Sequence, residues 1–170
     1  MKLRLFIVFP ILIFLLFSGC FSMSYNTKGG QPDPKIETVS VQHFPNRATR
    51  VNPSLSQAFT VGLIDFLESN TKLRVVNTVG DVDFSGEIKI YQISLEAIAA
   101  GDVAAKTRFT IGIRVKYMNS INPDDNYDET FSAFRVFEST INFTSVEEEL
   151  AKEMIEEMLD KIYDRTFVNW

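Results

Sequence analysis

Lys106-Thr107-Arg108-Phe109-Thr110-Ile111-Gly112-Ile113-Arg114-Val115-Lys116-Tyr117 gives the cleanest alternation of apolar and polar residues in the chain. Side chains of an extended strand point to opposite faces with a period of two. Phe109, Ile111, Ile113, Val115 and Tyr117 therefore share one face, while Lys106, Arg108, Arg114 and Lys116 share the other, separated by Thr110 and Gly112. Such a strand lies in a sheet with one covered face and one open face.

Neighbouring segments supply the rest of the sheet. Before this strand, Phe84, Gly86, Ile88 and Ile90 alternate with Ser85, Glu87, Lys89 and Tyr91, so the first four are expected on the covered face. After it, Tyr127 to Glu138 reads as an aromatic-rich partner strand, reached through a hairpin loop over 119–125. Its apolar pattern changes parity near Ala133, which predicts a bulge there. Further upstream, Lys35 to Phe44 predicts a first strand with Ile36, Val39 and Val41 inward, ended by Pro45-Asn46-Arg47. Leu73 to Val76 predicts a short second strand.

Two helices cover the sheet. Asn52-Pro53 opens the first with an N-cap asparagine and a proline whose missing N–H costs nothing at that position. Leu55, Ala58, Phe59, Leu63, Phe66 and Leu67 make its apolar stripe, and Asn70-Thr71 ends it. The compact strand–helix–strand order predicts that the first two strands run parallel. Ser145-Val146-Glu147-Glu148 reads as a capping box for the second helix, whose stripe is Leu150, Ala151, Met154, Met158 and Ile162. The expected fold is α+β: a two-layer sandwich with two helices packed on one face of a mixed four- to five-stranded sheet, occupying residues 35–170. No internal repeat is visible.

The N-terminus carries an address. Met1-Lys2-Leu3-Arg4 is a positive n-region, and Leu5 to Phe17 is an apolar run broken only by Pro10. Small residues Ser18 and Gly19 then precede Cys20, the layout of a secretory signal over 1–19. A comfortable membrane span needs roughly 20 apolar residues, which this run does not supply. The stretch resembles a lipobox, with Phe17 where leucine is usual. The resemblance implies that Cys20 is acylated and becomes the mature N-terminus. The other reading is an ordinary cleaved signal with an incidental cysteine. Cys20 is the only cysteine in the chain, and a lone exported thiol has no disulfide to make, which favours lipidation. Phe21 follows, where aspartate often signals inner-membrane retention, so the resemblance points to the outer membrane. Residues 20–34, with Gly29-Gly30 and Pro32-Asp33-Pro34, read as a tether.

Composition then excludes several function classes. A net charge of −5 gives no support to nucleic-acid binding. With one histidine, His43, and one cysteine committed to lipid, no His/Cys zinc site can be assembled. Asp124-Asp125-Asn126 and Asp128-Glu129 lack the spacing and glycine of a calcium loop and read as turn chemistry, as do Asp81 and Asp83. No carboxylate pair is singled out for acid–base work, no cofactor motif is present, and the chain does not read as an enzyme. His43 reads as structural or superficial. Asn142-Phe143-Thr144 matches a glycosylation acceptor, which means little in a bacterial lipoprotein. Trp170 closes the core or anchors an interface, and core closure is favoured. The row Lys106, Arg108, Arg114 and Lys116 is the one candidate binding surface. It can receive phosphates or an acidic partner wall, or be a solvated face paired with Glu87 and Glu129.

Several short stretches carry a family resemblance. Val39 to Asn46, Val51-Asn52-Pro53 with Leu55, Asp83-Phe84-Ser85-Gly86 with Ile88 and Tyr91, Arg108 to Ile111, Phe131-Ser132 and Asn169-Trp170, with the lipobox, resemble LptE-like lipopolysaccharide-assembly lipoproteins of Gram-negative bacteria. The resemblance implies two helices on a mixed sheet and a non-enzymatic role: an outer-membrane lipoprotein that plugs the LptD β-barrel, helps it assemble, and binds lipopolysaccharide. Lipid A phosphates are then a natural target for the basic row. The rival reading is a stand-alone lipoprotein that binds peptidoglycan or a small periplasmic ligand.

Overall fold

The computed structural model describes residues 32–50, 52–96 and 105–168. The signal segment, Cys20 with most of the tether, and Trp170 lie outside them. The elements in chain order are β1 (Thr38–Val41), α1 (Pro53–Asn70), β2 (Arg74–Val75), β3 (Val82–Leu95), β4 (Lys106–Asn119), β5 (Tyr127–Glu138) and α2 (Phe143–Tyr163). A short 3-10 turn, Pro123–Asp125, sits between β4 and β5, and a π-helical turn, Asp164–Val168, follows α2. The sheet is mixed, five-stranded, and ordered β2-β1-β3-β4-β5. β1 runs parallel to both β2 and β3, as the compact crossover through α1 requires. The remaining pairs are antiparallel.

The opening strand behaves as its pattern dictates. Phe109, Ile111, Ile113, Val115 and Tyr117 are all buried on the helix-covered face. α1 answers with Leu55, Phe59, Leu63 and Leu67, and α2 with Met154, Met158 and Ile162. Burying each such side chain stabilises by roughly 1.5–3 kcal/mol, which is why periodicity here overrides local propensity. Ile155 and Leu159 face α1 across Gly62, where a Cβ would meet each at 3.6 Å. Phe167 of the terminal turn is also buried, against Tyr163.

Three expectations need correction. The apolar parity shift belongs to β3, not to β5. β3 has a register shift between Ile88 and Ile90, which turns Tyr91 into the core and leaves Ile90 lying over Gly112. The β4–β5 ladder, by contrast, runs unbroken from Tyr117↔Tyr127 to Lys106↔Glu138. Phe134 and Val136 therefore stand on the open face because the strand is regular. The third correction concerns the start of α2. Its N-cap is Asn142, whose side chain accepts from Thr144 N, and Ser145 is already helical. The earlier start lets Phe143 pack edge-on against Phe109 and beside Phe137. It also frees Glu147, the middle of the expected box, to reach Asn52 and Tyr91.

Asp81 does more than close a turn. Its Oδ2 accepts from the Glu37 and Thr38 backbone N–H groups at 3.0 and 2.9 Å and from Thr38 Oγ1 at 2.8 Å. Those bonds hold its carboxyl below the usual carboxylate range. They tie the start of β1 to the start of β3.

Three core tyrosines predict an alkaline transition. Burial raises Tyr91 and Tyr127 from 10.0 to about 12, and it raises Tyr117 as well. Tyr127 also shares a 2.7 Å hydrogen bond with Thr166 Oγ1. Because the fold disfavours the phenolates, this stability is fully present below pH 10.0 and is lost as pH rises toward about 12. Circular dichroism followed through that window should show cooperative loss of structure, and Tyr127→Phe should move the midpoint upward.

Candidate functional site

The open face of the sheet is the candidate interface. All four predicted cations project there from β4, flanked by β3 and β5, and no helix among the described residues covers them. The two arginines are held by carboxylates. Arg114 forms a two-pronged pair with Asp128, Nε–Oδ1 2.7 Å and Nη2–Oδ2 2.6 Å, and its Nη1 lies 3.8 Å from Glu87. Arg108 grips Glu96 likewise, at 2.5 and 2.8 Å, and its guanidinium carbon lies 3.9 Å above the Phe134 ring. Hydrogen bonds from the arginines hold Glu96 and Asp128 below the usual carboxylate range. Lys116 stands exposed in register with Ser85 and Asp128. Lys106 ends the row opposite Glu138.

Of the acids expected to pair with this row, Glu87 does and Glu129 does not. Glu129 falls on the other face, where it binds Arg165 at 2.9 Å, and Asp128 takes its place. Strand parity explains the exchange, since only even-numbered residues of β5 share a face with the β4 cations. Phe134, Val136 and Met118 add apolar surface to the face, being 49%, 40% and 40% exposed. The result is a rigid plane on which apolar patches and fixed ion pairs alternate. It is suited to a flat, mixed wall more than to one small anion.

A concave feature lies on the opposite layer. α1 and α2 leave a cleft of about 950 Å³ between them, floored by Ala58, Gly62, Phe66, Ala151 and Ile155 and rimmed by Asp65, Glu147 and Glu156. Sequence periodicity placed Ala58, Phe66 and Ala151 on the apolar stripes but gave no sign of the gap. His43 serves structure: its Nε2 lies 3.2 Å from Ser56 Oγ, and that hydroxyl donates to the Phe44 carbonyl. No group of three or more metal-ligating side chains occurs among the described residues. No helix among them is long and apolar enough to cross a membrane.

Similarity to solved structures is confined to the fold. A minor lipoprotein from Acinetobacter baumannii superposes with TM-score 0.51 at 11% identity, covering 76% of this chain and 91% of that one. An uncharacterised lipoprotein B from Nitrosomonas europaea gives 0.51 at 13%, covering 78% and 81%. A hypothetical protein from Chlamydia trachomatis gives 0.52 at 10%, covering 79% and 99%. A comparison with curated protein sequences returned no match. The model of the LptE family, described as lipopolysaccharide-assembly, matches residues 36–166, which spans every strand and both helices. This chain therefore belongs to the LptE family of lipopolysaccharide-assembly proteins.

Proposed function

We propose that the protein is an outer-membrane lipoprotein that binds and plugs an LptD-like β-barrel, assisting the barrel's assembly and the insertion of lipopolysaccharide. Cys20, diacylated and then exposed as the mature N-terminus by removal of residues 1–19, holds the domain at the periplasmic side of the membrane. Each buried methylene contributes about 0.8 kcal/mol, so two or more acyl chains anchor firmly where one alone is marginal. Tethering raises the local concentration of the domain beside the barrel. The domain sits within the lumen, and the open sheet face meets acidic barrel residues or lipid A phosphates through Lys106, Arg108, Arg114 and Lys116. The observation that carries this reading is the match of the lipopolysaccharide-assembly family model to the whole described domain. Its role is binding, with no cofactor and no catalytic step.

Affinity purification of the detergent-extracted protein from outer membranes tests it. A stoichiometric β-barrel partner is expected. A second reading, a stand-alone lipoprotein that binds peptidoglycan or a small ligand, draws on the interhelical cleft and predicts a monodisperse monomer. For the basic row, Arg108→Glu with Arg114→Glu should weaken barrel or lipopolysaccharide capture at least about tenfold. Each substitution sets two like charges together where a two-pronged pair stood. Unchanged capture by a folded double variant removes the row from the interface.

A further inference from the structure

Among the described residues, the far half of β3 is an unpaired sheet edge. β1 and its continuation serve this strand only as far as Ile88, which donates to the Pro45 carbonyl and accepts from Arg47 N. The chain then turns away through Asn46, whose side chain accepts from Ala48 N and donates to the Asn52 carbonyl. β3 itself continues to Leu95. Glu96 donates to the Lys106 carbonyl, so Ile90, Gln92 and Ser94 direct their backbone groups toward β4. Tyr91, Ile93 and Leu95 direct theirs away from the sheet. Among the described residues no strand pairs with this side.

The other edges are guarded or short. On β5, the Ser132 carbonyl accepts from Lys161 Nζ, and the Phe134 carbonyl accepts from Arg135 Nη1. β2 is only two residues long. Capping a free edge with cations is a usual defence against stray pairing, and β3 has no such cap on its free carbonyls among the described residues. A cleft of about 480 Å³ runs beside it instead, lined by Arg50, Lys89, Gln92 and Ile93, with no carboxylate in its wall. Arg50 is placed there over the Phe143 ring, 5.4 Å from its centroid. Unlike Arg108 and Arg114, neither Arg50 nor Lys89 forms an ion pair among the described residues.

We propose that the β3 edge from Tyr91 to Leu95 accepts an extended, acidic segment of a partner protein as an added strand. Backbone groups of Tyr91, Ile93 and Leu95 supply the ladder, and Arg50 and Lys89 select carboxylates on the incoming chain. The edge is about 17 Å long at the usual rise per residue, enough for a five-residue segment. A second copy of this chain is disfavoured, because edge-to-edge pairing would bring the same two cations against each other.

The test uses the full-length lipoprotein in detergent and an acetylated, amidated heptapeptide of alternating glutamate and valine as probe. Amide exchange is read residue by residue. Exchange at Tyr91, Ile93 and Leu95 should slow at least about tenfold, while Gln92 and Ser94, already bonded to β4, stay unchanged. Leu95→Pro removes a free-edge N–H at an exposed side chain without touching the β4 ladder, and it should abolish the protection at that end. Arg50→Glu with Lys89→Glu, both on the surface, should weaken the acidic probe at least tenfold and favour a lysine–valine probe. Absence of protection in the wild-type chain overturns the proposal. So does protection confined to β5 or to the interhelical cleft, or binding unaltered in both variants.

Discussion

Gly86→Ala is expected to remove at least about 3 kcal/mol of folding stability, from backbone strain and steric clash together. Gly86 has φ +156°, a conformation that side-chain-bearing residues rarely adopt. A Cβ there would lie 2.0 Å from the Arg114 carbonyl oxygen and 2.8 Å from Phe44 Cε1. The first contact is with β4 backbone and cannot rotate away. The second is with a ring that is itself fixed edge-on against Phe59, centroids 5.0 Å apart. Relief would require β3 to part from β4 at their centre. Small domains keep only about 5–15 kcal/mol in reserve, so the variant should show a much lower denaturant midpoint. Gly62→Ala is the control. Its Cβ would make ordinary contacts at 3.6 Å with Ile155 and Leu159. Within helix α1 alanine should stabilise, by about 0.5–1 kcal/mol. Equal midpoints for the two variants would refute the reading of Gly86.

Phe109→Ala should be comparably severe, costing about 3–5 kcal/mol as expected for a large ring deleted from a closed core. Phe109 is fully buried, with Tyr91 edge-on at 5.0 Å and Phe143 edge-on at 4.9 Å. These contacts join β3, β4 and the first turn of α2, so the loss is felt by both layers. Tyr91 in turn donates its hydroxyl to Glu147, which also receives Asn52 Nδ2 at 2.6 Å. A cavity at Phe109 therefore loosens the link between the starts of both helices. Chemical denaturation of the full-length protein measures the effect. A loss below about 1 kcal/mol, the range of a surface substitution, would show that the core collapses around the site.

Much of this architecture was legible in the residues. The β4 alternation, the Asn52-Pro53 helix start and the two apolar stripes each follow from local periodicity and capping, which depend on residues a few positions apart. The two strand-parity errors share a different origin. Ile90 and Tyr91 are both apolar enough to face inward, and the choice fell to Gly112, whose missing side chain makes room for Ile90 on the far strand. In β5, the parity change near Ala133 read as a bulge, yet the strand is regular and Phe134 lies on the open face under Arg108 of the neighbouring strand. Pairing across strands settled both.

The candidate site divides in the same way. That Lys106, Arg108, Arg114 and Lys116 share one face was fixed by a period of two within a single strand. Of the carboxylates that meet them only Glu87 was anticipated, because Glu96 at the end of β3 and Asp128 of β5 are brought in by a register the cations themselves do not encode. The clamp on Asp81 was hidden for a similar reason, since its partners Glu37 and Thr38 are more than 40 positions away in the chain. The sequence by itself determined the element types and the covered and open faces of β4, and it carries the motif at Cys20 on which the proposed address rests. Only the tertiary structure decided which ion pairs form, where the sheet edge stays open, and that two packed helices leave a cleft. Those outcomes depend on register and spacing between elements, and these are set by packing many residues at once.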